Sequence, residues 1–137
     1  MNHAYEVRPV AWVESPLVDV ANAPLQADEG APPAWLVFEP NIAEAIQDLR
    51  AGDHVLVLSW LDRARRDVLS THPRGDPHRP RLGIFSTRSP DRPNPIGLHR
   101  VQILAVEGLR LLVGDLEAVN GTPILDVKPI LEPHAER

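Results

Sequence analysis

Three prolines within six residues, Pro90, Pro93 and Pro95, set the strongest limit on how this chain can fold. They lie in "GIFSTRSPDRPNPIGLHR", residues 83–100, interleaved with Arg88, Arg92 and Asn94. Each ring fixes φ near about −65°, removes an amide donor and pushes the preceding residue out of the helical region. The segment is therefore neither a helix nor an ordinary central strand. It is a stiff loop whose shape is set before any ligand arrives. Arginine offers a planar fork suited to carboxylate or phosphate, and a rigid backbone lowers the entropy cost of holding it. Charged loops on rigid scaffolds are often functional, so this is the leading candidate site; the plainer reading is a turn that merely links two strands.

The segments around it are short. "VRPVAWVES", residues 7–15, alternates Val7, Pro9, Ala11 and Val13 with Arg8, Val10, Trp12 and Glu14, which predicts a first strand. Residues 16–34, with four prolines and Gly30, read as loop. "WLVFE" at 35–39 predicts a short strand, and "DHVLVLSWLD" at 53–62 suits a buried one. "PNIAEAIQDLRAG" is the one helix signal: Asn41 and Glu44 have capping-box spacing, Ile42, Ala45, Ile46 and Leu49 share a face, and Gly52 ends it. Beyond the proline loop, "LHRVQILAV" and "LRLLVGDL" flank Glu107-Gly108, a two-residue hairpin signal. "NGTP" at 120–123 marks a further turn before "ILDVKPIL". Many short strands with frequent turns and a single helix predict a mainly β fold, an antiparallel β-barrel with one short helix, as a single domain over 1–137.

With 137 residues the chain is long enough to bury a real core. It has no cysteine, which excludes disulfides and cysteinyl metal sites and gives no sign of an oxidising compartment. No apolar run nears the roughly 20 residues needed to cross a bilayer, and the first residues lack a secretory signal, so no membrane partner is expected and the expected location is cytoplasmic. A net charge of −5 argues mildly against nucleic acid. The distribution softens that: residues 72–100 hold six arginines against Asp76 and Asp91, a local +4 that leaves −9 for the rest.

No two glycines are spaced as G-x-G, so dinucleotide and P-loop fingerprints are absent. There is no G-x-S-x-G elbow for a serine nucleophile either. "THPRGDPH" places His72, Asp76 and His78 close together, but zinc wants three or four converging ligands. A solvated polar loop is the stronger reading, and no metal is expected. Asn94 and Pro95 carry more chemistry. The asparagine side-chain carbonyl and the proline main-chain carbonyl can both accept hydrogens from an exocyclic amine, orienting it for attack on an electrophilic methyl group. Downstream, Asp126 and Lys128 share one strand face, where an exposed ion pair is worth at most about 1 kcal/mol.

Taken together, "GIFSTRSPDRPNPIGL" and "DLEAVNGTPILDVKP" strongly resemble the TsaA-like, TrmO-type tRNA methyltransferases. That family's pattern is approximately G-V-F-A-T-R-S-P-x-R-P-N-P-I-G-L followed by D-x-x-D-G-T-P-x-x-D-I-K-P-Y. The resemblance implies a β-barrel that binds S-adenosylmethionine without a Rossmann sheet, works as a homodimer, and methylates the exocyclic amine of the threonylcarbamoyl-modified adenine beside the anticodon of tRNA. It assigns cofactor contacts to Pro24, Leu25, Gln26, Asp62, Arg63, Arg88 and Leu98, and to Glu117, Ala118, Val119 and Asn120. Asn94 and Pro95 would orient the acceptor amine, with Asp126 a proton acceptor or its support; Arg92 and Lys128 would meet the substrate. Departures from the pattern fall at Leu25, Asp62, Glu117, Asn120 and Ile130, and they bear on the identity of the methyl acceptor. Two other outcomes are a methyltransferase acting on a small molecule or another RNA, and a non-catalytic S-adenosylmethionine-binding sensor.

Overall fold

Side-chain alternation decides which face of each strand turns inward, and the inward faces here close on one another. The structure, a computed structural model, describes residues 3–16 and 32–131. Its strands are β1 (Ala11–Glu14), β2 (Ala34–Phe38), β3 (His54–Trp60), β4 (Ser70–Thr71), β5 (Leu82–Gly83), β6 (Ile96–Glu107), β7 (Arg110–Gly114) and β8 (Pro123–Pro129). Six of them form a closed antiparallel barrel in the order β1-β2-β7-β6-β3-β8, while β4 and β5 pair separately as a small ribbon. Closure removes exposed sheet edges. Ala11, Val13, Leu36, Phe38, Val55, Val57, Val101, Ile103, Leu111, Val113 and Ile124 fill the interior. The predicted mainly β barrel is thus what forms.

β6 is the longest strand because it serves two neighbours. Its first half pairs with β3, from Ile96 opposite Trp60 to Gln102 opposite His54. Its second half pairs with β7, from Gln102 opposite Gly114 to Glu107 opposite Arg110. The hairpin turn is therefore Gly108-Leu109, one residue later than the sequence suggested. Gly108 at φ 59° fits the first turn position of a type II′ hairpin, which needs a positive φ.

Two other elements differ from expectation. The first strand begins only at Ala11; Pro9 has no amide to donate to a ladder, and Val7 stays 63% exposed. The helix is a short 3-10 segment, Pro40–Ile46, whose N-cap is Glu39 rather than Asn41, so the Asn41–Glu44 capping box does not form. Proline at the first helical position fixes the start two residues earlier than the box requires. The Glu39 carboxylate instead accepts Trp12 Nε1–H at 2.8 Å.

The antiparallel order sorts the connections. β1, β3 and β7 finish, and β2, β6 and β8 start, at the same end of the barrel. The β3–β6 connection, residues 61–95, and the β7–β8 connection, residues 115–122, therefore emerge together.

Candidate functional site

The proline loop is held by arginines. Prolines contribute carbonyls but no amide hydrogens, so donors must come from side chains. Arg92 donates Nη1–H to Thr87 O at 3.1 Å and to Ser89 O at 3.0 Å, and Nη2–H to Ile84 O at 3.1 Å. Arg66 donates Nε–H to Pro93 O at 2.7 Å and Nη2–H to Asn94 Oδ1 at 2.8 Å, with its guanidinium 5.2 Å from the Trp60 ring centroid. Asp91 accepts the Arg65 amide at 2.9 Å, and the Leu61 amide donates to Pro95 O at 2.8 Å. Asn94 Oδ1 and Pro95 O thus each accept one bond from the scaffold, and a carbonyl oxygen carries two lone pairs. Arg88 is exposed, with one Nη2–H reaching Leu98 O at 3.3 Å.

Beside this loop, Arg65 and Asp67 form an exposed ion pair at 3.0 Å. The hydrogen bond and charge of Arg65 hold the Asp67 carboxyl below its ordinary value, and Asp67 raises the Arg65 guanidinium in turn.

Inside the same end of the barrel lies a polar chain. Ser59 and His99 are both buried, and Ser59 Oγ is 2.7 Å from His99 Nε2. The other ring nitrogen, Nδ1, is 2.8 Å from Glu117 Oε1. Glu117 Oε2 is buried and has no partner among the described residues. Room for the chain comes from Gly97, which pairs with Ser59 across the β3–β6 ladder. A Cβ at Gly97 would stand 2.7 Å from His99 Nε2 and nearer still to Ser59 Oγ.

The loop carrying Glu117 is pinned where it runs into β8. Asn120 Oδ1 accepts the Ser15 amide at 3.0 Å, tying the loop to the end of β1. Thr122 Oγ1–H donates to Val119 O at 2.7 Å. Ala118 and Val119 are buried. Asp62 and Arg63 are exposed just past β3.

Asp126 and Lys128 stand apart, on the outer wall of β8. They form an exposed pair at 3.3 Å, and Asp126 Oδ1 also accepts the Val127 amide at 2.9 Å. Asp126 is nonetheless in register with Leu58, whose other neighbour is Leu98, so the outer surface of β3 links the two. Pro24, Leu25 and Gln26 lie outside the described residues. In the "THPRGDPH" run, His72 Nδ1 bonds Arg79 O at 2.8 Å and Asp76 Oδ1 accepts the His78 amide at 2.9 Å. Among the described residues no group of three or more His, Cys, Asp or Glu is placed to hold a metal ion.

The fold therefore brings Asn94, Pro95, Asp62, Arg63, Glu117 and Asn120 to one barrel end. Arg92 turns its fork toward the loop's own carbonyls. Sequence reasoning missed Ser59, His99 and Arg66. For His99 a signal existed: Gly97, His99, Val101 and Ile103 alternate along β6, and the last two are core. For Arg66 there was none, because its partners lie 27 and 28 residues away.

Comparison with known proteins matches residues 12–134 to the family described as the tRNA-methyltransferase O N-terminal domain. A probable S-adenosyl-L-methionine-binding protein of Methanothermobacter thermautotrophicus is 40% identical over 126 residues, covering 92% of this chain and 90% of that one. One of the same description from Archaeoglobus fulgidus is 39% identical over 125 residues, 90% of this chain but 33% of the relative. The crystal structure of TrmO from Pseudomonas aeruginosa superposes with a TM-score of 0.76 at 28% identity, over 100% of this chain and 59% of that one. The chain thus spans a third of the Archaeoglobus relative and about three fifths of the solved TrmO chain.

Proposed function

The chain belongs to the tRNA-methyltransferase O N-terminal domain family, and on that premise we propose that it transfers a methyl group from S-adenosylmethionine to an amine nitrogen. The observation that carries this reading is the convergence of Asn94, Pro95 and Glu117 at one barrel end, on connections held by side-chain hydrogen bonds. The residues present fit such a cofactor: Glu117 Oε2 is a buried acceptor lacking a donor, and a nucleoside brings hydroxyl and amine hydrogens. Exposed Arg88 fits its carboxylate.

When bound, S-adenosylmethionine supplies a methyl group on a positively charged sulfur, already activated toward a nucleophile. The protein's task is alignment, which can lower a barrier by roughly 7–11 kcal/mol at best. Asn94 Oδ1 and Pro95 O use their second lone pairs to orient the acceptor amine, while Arg66 and Leu61 hold those oxygens in place. Asp126, on the outer face of β8 and linked to Leu98 only through Leu58, supports the group that takes the departing proton, with Lys128 beside it. Arg92, two of whose five N–H donors remain beyond those bonded to the loop, and Lys128 meet the acceptor's phosphates. The acceptor we assign is the threonylcarbamoyl-modified adenine next to the anticodon of tRNA, with the protein acting as a homodimer. The local charge of +4 over residues 72–100 supports a polyanionic substrate.

Calorimetric titration with S-adenosylmethionine tests the first step; micromolar binding corresponds to about −8 kcal/mol. Transfer of labelled methyl to modified tRNA, absent with an unmodified transcript and falling steeply with salt, tests the second. No binding of S-adenosylmethionine or S-adenosylhomocysteine at millimolar concentration overturns the whole reading. Cofactor binding with no S-adenosylhomocysteine released on any cellular RNA or small amine favours the sensor reading instead.

A further inference from the structure

Among the described residues only Ser59, His99 and Thr122 are buried polar or charged residues, and Thr122 is accounted for by the turn it closes. The other two are bonded to each other in the barrel interior, and β6 gives up a side chain at Gly97 to house them. Burial of this kind is costly unless every donor and acceptor is matched, so the matching can be worked out atom by atom.

An ionised Glu117 is acceptor-only, so the hydrogen between it and His99 sits on Nδ1. In a neutral ring Nε2 is then an acceptor, and the Ser59 hydroxyl donates to it. That arrangement satisfies Ser59, both ring nitrogens and Glu117 Oε1. A charged ring would force the Ser59 hydroxyl to accept, and its own hydrogen would have no acceptor among the hydrogen bonds of the described residues. One atom of the chain is left over: Glu117 Oε2.

We propose that His99 is a positioning residue that fixes which oxygen of Glu117 is offered to ligand, and that Ser59 fixes the ring tautomer that allows it. Nδ1–H clamps Oε1; Oε2 is thereby presented as a bare acceptor to a hydroxyl or amine hydrogen of the bound nucleoside. The identity of that ligand rests on the cofactor reading above, whereas the tautomer does not.

Two measurements test this. In protein carrying nitrogen-15 histidine, the His99 ring, identified as the signal missing from His99→Asn, is expected as the Nδ1–H tautomer with unprotonated Nε2. That form is the minority one for free histidine. Calorimetry with S-adenosylmethionine then compares variants whose melting temperatures are recorded alongside. Glu117→Gln keeps the shape, but His99 holds its amide oxygen and turns its NH₂ to where Oε2 stood, so donor meets donor. Affinity should fall at least tenfold, as far as in Glu117→Ala. His99→Leu should also lose tenfold or more, while His99→Asn, whose amide hydrogen replaces Nδ1–H, should recover most of that loss. An Nε2–H tautomer, or wild-type affinity in Glu117→Gln, overturns the proposal. If the wild-type protein binds no S-adenosylmethionine, the cofactor reading fails, and the tautomer alone decides this one.

Discussion

Replacing Gly97 by alanine is the sharpest single test of how the site end of the barrel is built. The added Cβ would lie 2.7 Å from His99 Nε2 and 3.2 Å from His99 Cε1, and closer still to Ser59 Oγ. Ordinary contact begins near 3.4 Å, so the ring nitrogen alone must retreat by several tenths of an ångström. Neither neighbour is a flexible tip: both are buried and joined by a 2.7 Å hydrogen bond. Overpacking a filled interior costs about 1–3 kcal/mol. Breaking the bond while both partners stay buried adds about 1–3 kcal/mol. The expected loss is therefore roughly 2–6 kcal/mol, a fall in melting temperature on the order of 8–20 °C for a domain this size. Urea denaturation and thermal melting measure it directly. Gly114→Ala is the control, because its Cβ would meet the Leu104 side chain no nearer than 3.5 Å, an ordinary contact. Removing Ser59 Oγ first, with Ser59→Ala, should cut the cost of Gly97→Ala by about 1 kcal/mol or more, since neighbours in contact are not additive. If Gly97→Ala melts within about 2 °C of Gly114→Ala, the steric argument is wrong.

Three further outcomes follow from the same geometry. Arg66→Ala removes both bonds to residues 93 and 94 and the stacking on Trp60, so methyl transfer should drop at least tenfold while the melting temperature changes little, as fits an exposed side chain. Arg88→Ala should abolish turnover with the fold intact; wild-type rate and cofactor affinity would remove Arg88 from the site. The Asp67 carboxyl should titrate below its ordinary value near 3.8 and rise toward it in Arg65→Ala, followed by carbon-13 NMR of the carboxyl. Because its folded value is depressed, the pair's contribution is present above the ordinary value and is lost as pH falls through the folded one, so Arg65→Ala should flatten only the acid limb of stability.

Side-chain alternation made most of the barrel legible. Ala11 and Val13, Val55 and Val57, and Leu111 and Val113 could be placed inward because a strand repeats every two residues. It failed where proline intervened: Pro9 delayed the first strand, and Pro40 moved the helix start away from Asn41. The rigidity of the loop was also visible, since proline acts on its own backbone. What holds the loop in place was not, because Arg66 and Arg92 act through bonds that exist only once the chain has folded. A sequence shows a guanidinium but not where its hydrogens point, and only the fold shows three of those on Arg92 going to Ile84, Thr87 and Ser89.

That exchange of proline amides for arginine donors has a consequence for tolerated change. Four main-chain carbonyls, those of Ile84, Thr87, Ser89 and Pro93, are capped by two guanidinium groups that act as surrogate backbone. A lysine ammonium is a point charge and cannot reproduce a planar fork reaching three oxygens at once. Conservative exchange of charge is therefore not conservative here: the architecture of the loop depends on two guanidinium groups.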